Sequence, residues 1–187
     1  MDAFDKRKKD ILSKLDKSHK NEWDKKIVEL CKKINSLGDY YTTSSCSGRA
    51  ILIINQNKKD SNLFISVYHN KISFKEIKED LTLAIKQNKN IKFKLEPCIL
   101  HVNCRTLKNA EEICSQAKLA GWKKTGIIGM KNGFSVELNG TERLEFPIIN
   151  KNKILVDDEF LKIIVEESNK KLEKSWIKIK KLKKLVK

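Results

Sequence analysis

Apolar residues recur along the chain at two different spacings, and each change of spacing marks an element. Phe4, Ile11 and Leu15 fall on one helical face, and Asp16-Lys17-Ser18 reads as the turn after it. A second helix is predicted over residues 24–36, with Ile27, Leu30 and Ile34 on one side and Gly38 as its stop. The period then shortens to two. Residues 40–45, 50–55 and 63–69 read as short strands rich in β-branched and aromatic residues. Ser73 with Glu76 three positions on makes a capping box, opening a helix through Phe74, Ile77, Leu81 and Ile85. Strands are predicted at 91–96 and 99–104, broken by Pro97, then a helix over 107–120 ended by Gly121. Strands follow at 124–130 and 134–138, and Asn139-Gly140 reads as a hairpin turn into a strand at 143–149. One long helix from about residue 157 closes the chain, with Asp157 and Asp158 suited to its positive end.

This pattern predicts an α+β fold: a compact mixed-sheet body flanked by N- and C-terminal helices. It reads as a single domain over 1–187, with a helical start at 1–37, a sheet-containing body at 38–150 and a basic helix at 157–187. A faint strand–helix duplication links residues 40–87 and 91–138. The chain has 187 residues, 40% of them apolar, enough for a sizeable core and too ordered in spacing for a disordered chain. No apolar run approaches the roughly 18 residues that cross a bilayer, so no membrane is expected. The opening Met-Asp-Ala-Phe-Asp-Lys-Arg lacks the apolar stretch of a secretory signal, which makes the cytoplasm the expected compartment.

Charge narrows the partners. With 40 Lys+Arg against 24 Asp+Glu the formal net charge is +16, which favours an anionic partner, nucleic acid first. Residues 170–187 alone carry nine lysines and one acid. Leu172, Trp176, Ile179, Leu182 and Val186 recur there at helical steps, so one face packs on the body while lysines face outward. Such a helix suits a phosphate backbone, although a generally lysine-rich composition gives the same count without a ligand.

Chemistry concentrates in Thr42-Thr43-Ser44-Ser45-Cys46-Ser47-Gly48-Arg49, which lies between two strands and is expected to form an exposed loop at a sheet end. Hydroxyls, backbone N–H groups around Gly48 and the Arg49 guanidinium suit a carboxylate or a phosphate. The same letters suit a polar hairpin loop with no ligand. Cys46 as a nucleophile is a weak reading, because no base is paired with it in the sequence. His101, inside Ile99-Leu100-His101-Val102, shares a strand face with Ile99 and Asn103, and His69 ends the run Ile65-Ser66-Val67-Tyr68. Taken singly, each histidine reads as a hydrogen-bonded structural residue as readily as a functional one. Trp23, Tyr40, Tyr41, Tyr68 and Trp122 are available for stacking on a base or for the core. The five cysteines (31, 46, 98, 104 and 114) are odd in number and contain no C-x-x-C pair, so neither a disulfide framework nor a structural metal site is expected. Gly126-Ile127-Ile128-Gly129 is too sparse for a dinucleotide loop, and no strand–GxGxxG–helix unit is present.

Taken in order, these segments resemble a known family. They are Asp16-Lys17-Ser18, then Asp24 with Ile27, Leu30-Cys31 and Ile34-Asn35, then the string from Asp39 to Arg49 and Ser66-Val67-Tyr68-His69. Next come Leu95-Glu96-Pro97, Ile99-Leu100-His101-Val102 and Cys104-Arg105. Ala117, Ala120-Gly121-Trp122, Gly126-Ile127 and the helix at Asn169-Lys170-Lys171-Leu172 complete the set. The chain resembles the tRNA wybutosine-synthesizing protein 3 family over nearly its whole length, most specifically through Ser-Ser-Cys-Ser-Gly-Arg and Glu-Pro-x-Ile-Leu-His-Val.

The resemblance implies an α+β methyltransferase outside the Rossmann type, using S-adenosyl-L-methionine. It implies as acceptor the N4 ring nitrogen of the tricyclic wybutosine precursor, made from the guanosine 3′ to the anticodon of tRNA(Phe). Candidate catalytic residues are Ser45, Ser47, Arg49, His69 and His101; candidate cofactor-binding residues are Asp24, Ser45, Cys46, Gly48 and Arg49. Lys123 and Thr125 stand where the family usually has arginine and serine, and an arginine-to-lysine change loses the planar fork. The alternatives are a non-catalytic basic RNA-binding module and, less supported, a thiol-dependent hydrolase.

Overall fold

The computed structural model describes residues 2–14, 24–56 and 63–187. Leu15, the Asp16-Lys17-Ser18 turn and Trp23 lie outside the described residues. The elements run α1 (Ala3–Leu12), α2 (Val28–Ser36), β1 (Tyr40–Cys46), β2 (Arg49–Ile54), β3 (Phe64–Tyr68), α3 (Phe74–Ile85), β4 (Ile91–Glu96) and β5 (Ile99–Cys104). They continue α4 (Leu107–Leu119), β6 (Lys124–Gly129), β7 (Phe134–Asn139), β8 (Leu144–Asn150), β9 (Lys153–Ile154) and α5 (Asp158–Leu185).

Strands adjacent in sequence do not all pair. β1-β5-β7-β6 form one four-stranded sheet and β3-β2-β4-β8-β9 a five-stranded one. The chain passes from one sheet to the other at Ser47–Gly48, at Pro97–Cys98 and after Gly140. Asn139-Gly140 is therefore not the expected hairpin turn, because β7 and β8 belong to different sheets; Gly140 N–H instead donates to the Cys98 carbonyl at 2.9 Å. The two-residue hairpin is at Lys151-Asn152, both at positive φ (46° and 60°), between β8 and β9. Every described pairing is antiparallel, so the body is two antiparallel sheets rather than the expected mixed one. The cause is that each helical crossover skips a strand. β3-α3-β4 straddles β2 and β5-α4-β6 straddles β7, placing an antiparallel strand between each potential parallel pair. The segments 40–87 and 91–138 do not share an element order, since the first runs β1-β2-β3-α3 and the second β4-β5-α4-β6-β7.

By internal contacts the chain divides into two compact units: Met1–Ser47 with Cys98–Thr141 and Ser175–Lys187, and Gly48–Pro97 with Glu142–Lys174. In the first, α2, α4 and the last turns of α5 cover one face of the four-stranded sheet. Leu30, Ile34, Leu100, Val102, Ile113, Trp122, Val136, Leu138, Ile179 and Leu182 form its core. The predicted stripe on α5 holds, with Ile179, Leu182 and Val186 buried and Trp176 packed at the edge. α4 ends as its sequence dictates. Gly121, at φ +95°, lets the Trp122 N–H reach the Ala117 carbonyl (2.9 Å) and its own N–H reach Lys118 (3.0 Å), which turns Trp122 inward. In the second unit Ile51, Leu52, Phe93, Leu95, Ile77, Leu81 and Ile149 are buried, and the Ser73–Glu76 capping box forms as predicted.

The second unit also carries an acid-sensitive pair. Burial raises the Glu96 pKa, but hydrogen bonding and attraction from Arg49 outweigh it, followed by Lys94, and the carboxyl sits below its usual value. A lowered folded pKa stabilises above the unfolded value, about 4.3 for glutamate, and that contribution is lost as pH falls through the folded pKa. Urea unfolding followed from pH 7 to pH 3 should therefore show a loss of stability on the acid side that is smaller in Glu96→Gln.

Candidate functional site

The hydroxyl-rich string is strand, not loop. Thr42 to Cys46 belong to β1, and only Ser47 and Gly48 connect it to β2. Pairing with β5 supplies the reason: this run has a partner strand along its whole length, which satisfies its backbone in register. The register contains one bulge. Thr42 lies opposite Val102, but Ser44 lies opposite His101, so Thr43 is the extra residue. Simple alternation from Tyr41 would put Thr43 and Ser45 on the face of His101. The bulge puts Ser44 and Cys46 there instead, and turns Ser45 toward the face of Leu100.

The face away from the first unit's core is consequently polar. One row across the sheet consists of Ser44 on β1, His101 on β5, Glu137 on β7 and Gly126 on β6. Ser44 Oγ lies 2.9 Å from His101 Nδ1, and His101 Nε2 lies 2.9 Å from a Glu137 carboxylate oxygen. An ionised carboxylate only accepts, so with a neutral ring this geometry suits the tautomer in which Nε2 donates to Glu137 and Nδ1 accepts from the Ser44 hydroxyl. The adjacent row is closed. Asn103 donates to Tyr41 Oη and to the Asn132 carbonyl and accepts from Ser135 Oγ at 2.9 Å, while Phe4 of α1 lies 5.1 Å from the Tyr41 ring. Arg105 holds α1 there, bonding Asp2, Asp5 and Asp39 and lying 4.6 Å from the Phe4 ring.

At the end of β1 the Asp24 carboxylate accepts from the Ser47 N–H at 2.8 Å and the Lys26 N–H at 3.2 Å, and it lies within 4.8 Å of Cys46 Sγ. Residues 24–27 form a turn ahead of α2, so the helix starts at Val28 rather than at residue 24. Ser47 is fully buried, and its Oγ has no hydrogen-bond partner among the described residues. Such an orphaned hydroxyl costs about 1–3 kcal/mol unless something else satisfies it.

Arg49, Gly48 and His69 belong to the second unit. Gly48 takes φ +101°, open chiefly to glycine, so the chain can turn out of β1. Arg49 faces Glu96 across β2 and β4, donating through Nε at 2.8 Å, and its guanidinium carbon lies 5.1 Å from the Phe64 ring. This pairing fixes the guanidinium while its two Nη groups make no hydrogen bond among the described residues. His69 follows β3, partly buried.

Within the first unit, then, the fold joins Asp24 to Ser47 and His101 to Ser44, and sets Ser45 and Cys46 on opposite faces of β1. Sequence reasoning passed over Ser44 and Glu137. Alternation in Phe134-Ser135-Val136-Glu137-Leu138 exposes Glu137 on a polar face, but its partner follows only from register. The aromatics go elsewhere: Tyr40, Tyr41 and Trp122 are buried, and the Tyr68 hydroxyl donates to Asp80. Cys104 is buried and its thiol is pushed up to about 12 by desolvation, the state of an inert core thiol.

Residues 6–187 match the family described as Methyltransferase TYW3. An Archaeoglobus fulgidus protein named tRNA(Phe) 7-((3-amino-3-carboxypropyl)-4-demethylwyosine(37)-N(4))-methyltransferase is 34% identical over 179 residues, covering 94% of this chain and 89% of the relative. A Pongo abelii protein named tRNA wybutosine-synthesizing protein 3 homolog is 34% identical, covering 92% and 68%. A solved structure of a Pyrococcus horikoshii protein superposes with TM-score 0.86 at 32% identity, covering 97% of this chain and 92% of that one. With a match that spans nearly every residue, and an α+β architecture without a dinucleotide-binding crossover, the chain belongs to the Methyltransferase TYW3 family.

Proposed function

We propose that this chain, acting as one methyltransferase domain in the cytoplasm, methylates N4 of the tricyclic wybutosine precursor in tRNA(Phe), with S-adenosyl-L-methionine as donor. The observation that carries this reading is the family match over residues 6–187, together with the substrate printed in the name of the Archaeoglobus relative. When bound, the donor supplies an electrophilic methyl group on a sulfonium. Two features fit such a ligand. The buried Ser47 Oγ beside the Asp24-held turn, without a partner among the described residues, suits a polar group of the donor, and the Nη groups of Arg49, which bond none of the described residues, suit its carboxylate or a tRNA phosphate. Ser45, Cys46 and Gly48 are backbone and side-chain contacts in the same reading, and His69 and His101 are base contacts or proton acceptors.

Methyl transfer needs in-line approach and exclusion of water more than covalent work by the protein. The decisive experiment incubates the protein with methyl-labelled S-adenosylmethionine and precursor-bearing tRNA(Phe). Label in the tricyclic base is the expected result, and binding without label would leave only an RNA-binding module.

The basic helix gives a separate expectation. Lys180, Lys181 and Lys184 are exposed on α5. If each meets a phosphate, changing all three to glutamine should flatten the slope of log Kobs against log salt by about 2–3. A slope equal to the unsubstituted protein's would place the tRNA backbone elsewhere.

A further inference from the structure

We propose that Ser44, His101 and Glu137 form the proton relay of the transfer step, with Ser44 Oγ touching the N–H of the acceptor ring and Glu137 as the positioning residue of His101; this rests on the function proposed above. The acceptor nitrogen carries a hydrogen that must leave when a methyl group arrives. A neutral hydroxyl accepts that proton only if it passes its own to a base. Ser44 is placed for this, exposed on the open face with its hydroxyl 2.9 Å from His101 Nδ1. Glu137, 2.9 Å from Nε2, holds the tautomer that leaves Nδ1 free to accept and stabilises the imidazolium that forms.

The step balances. The ring-nitrogen-to-methyl bond forms as the sulfur-to-methyl bond breaks, and the ring N–H proton passes to Ser44 Oγ. The Ser44 hydroxyl proton passes to His101 Nδ1, so the positive charge lost by the sulfonium reappears on the imidazole beside Glu137. The row is open at its β6 end. The next position along it is Gly126, where an added Cβ would meet nothing within 4 Å. Four strands at about 4.8 Å spacing make the row roughly 14 Å wide. The β1 bulge is what sets the primary hydroxyl of Ser44, rather than the β-branched Thr43, opposite the imidazole. The neighbouring row, with its buried Asn103 and the covering Phe4, has every polar group engaged within the fold and is not open in this way.

The test has two readouts. In methyl transfer to precursor-bearing tRNA, Ser44→Ala and Glu137→Ala should each lower kcat about 10- to 100-fold with KM changed less than about threefold, and Glu137→Gln should recover part of the loss. In nitrogen NMR of the protein without ligands, the neutral His101 ring should carry its hydrogen on Nε2, and Glu137→Ala should produce a mixture of tautomers. A wild-type chain that transfers no methyl group overturns the proposed function. A chain that transfers it, while folded Ser44→Ala and Glu137→Ala stay within twofold of its kcat, overturns the relay alone, as does a wild-type ring protonated on Nδ1.

Discussion

Replacing Trp122 by alanine is expected to lower the unfolding free energy by about 3–5 kcal/mol, the cost of emptying a fully packed aromatic site. Trp122 is fully buried in the core of the first unit, and its indole N–H donates to the Lys178 carbonyl of α5 at 3.3 Å. The site cannot collapse readily. The α4 stop fixes the backbone on one side through Gly121, where the Lys178 side chain packs within 3.4–3.7 Å of the position a Cβ would take. With a urea m-value of about 2 kcal/mol per molar, the midpoint should fall by roughly 2 M. Trp122→Phe keeps an aromatic ring but loses the indole N–H bond and some volume, so its cost should be about 1–3 kcal/mol. Equal midpoints for Trp122→Ala and the unsubstituted protein would show that this core tolerates a void it is not built to tolerate.

The second large effect concerns turnover. Arg49→Ala should reduce kcat/KM for tRNA methylation on the order of 100-fold or more, because charge-assisted contacts to an anion contribute about 1.5–3 kcal/mol each. Arg49→Lys separates the reasons. Lysine can keep an ion pair with Glu96 but has no planar fork for a two-point contact. Recovery of folding stability without recovery of turnover is the expected result. Full activity in Arg49→Lys would assign this side chain to the Glu96 pair alone.

Both effects depend on features that differ in how far the letters reveal them. The stop at Gly121 is legible from the amphipathic run before it, whereas the sequence leaves Trp122 open between stacking and the core, and the left-handed turn at Gly121 brings it inward. The Ser73–Glu76 box and the α5 stripe are legible for the same reason, since each motif is complete within one helical turn or one helix. The strand partners of Arg49 and His101 are not. Glu96 lies 47 positions from Arg49 and Glu137 lies 36 from His101, and no local rule joins them. Residues 40–45 read as strand, and that holds; the competing reading of Thr42 to Arg49 as an exposed loop fails because serine and threonine favour turns in isolation, whereas an entire facing strand decides the matter for Thr42 to Cys46.

Local sequence determined where helices start and stop, which faces are apolar, how strongly the chain attracts anions, and, through Ser-Ser-Cys-Ser-Gly-Arg and its companion string, the family. Those properties come from side chains within a turn or two of each other, so short-range sterics and hydrophobic burial suffice. Only the tertiary structure decided which strands share a sheet, that one bulge exchanges Ser45 for Ser44 on the polar face, and that His101 stands between a hydroxyl and a carboxylate. Strand register is settled by the whole sheet's burial and hydrogen bonding at once, and a single inserted residue reverses every side chain beyond it.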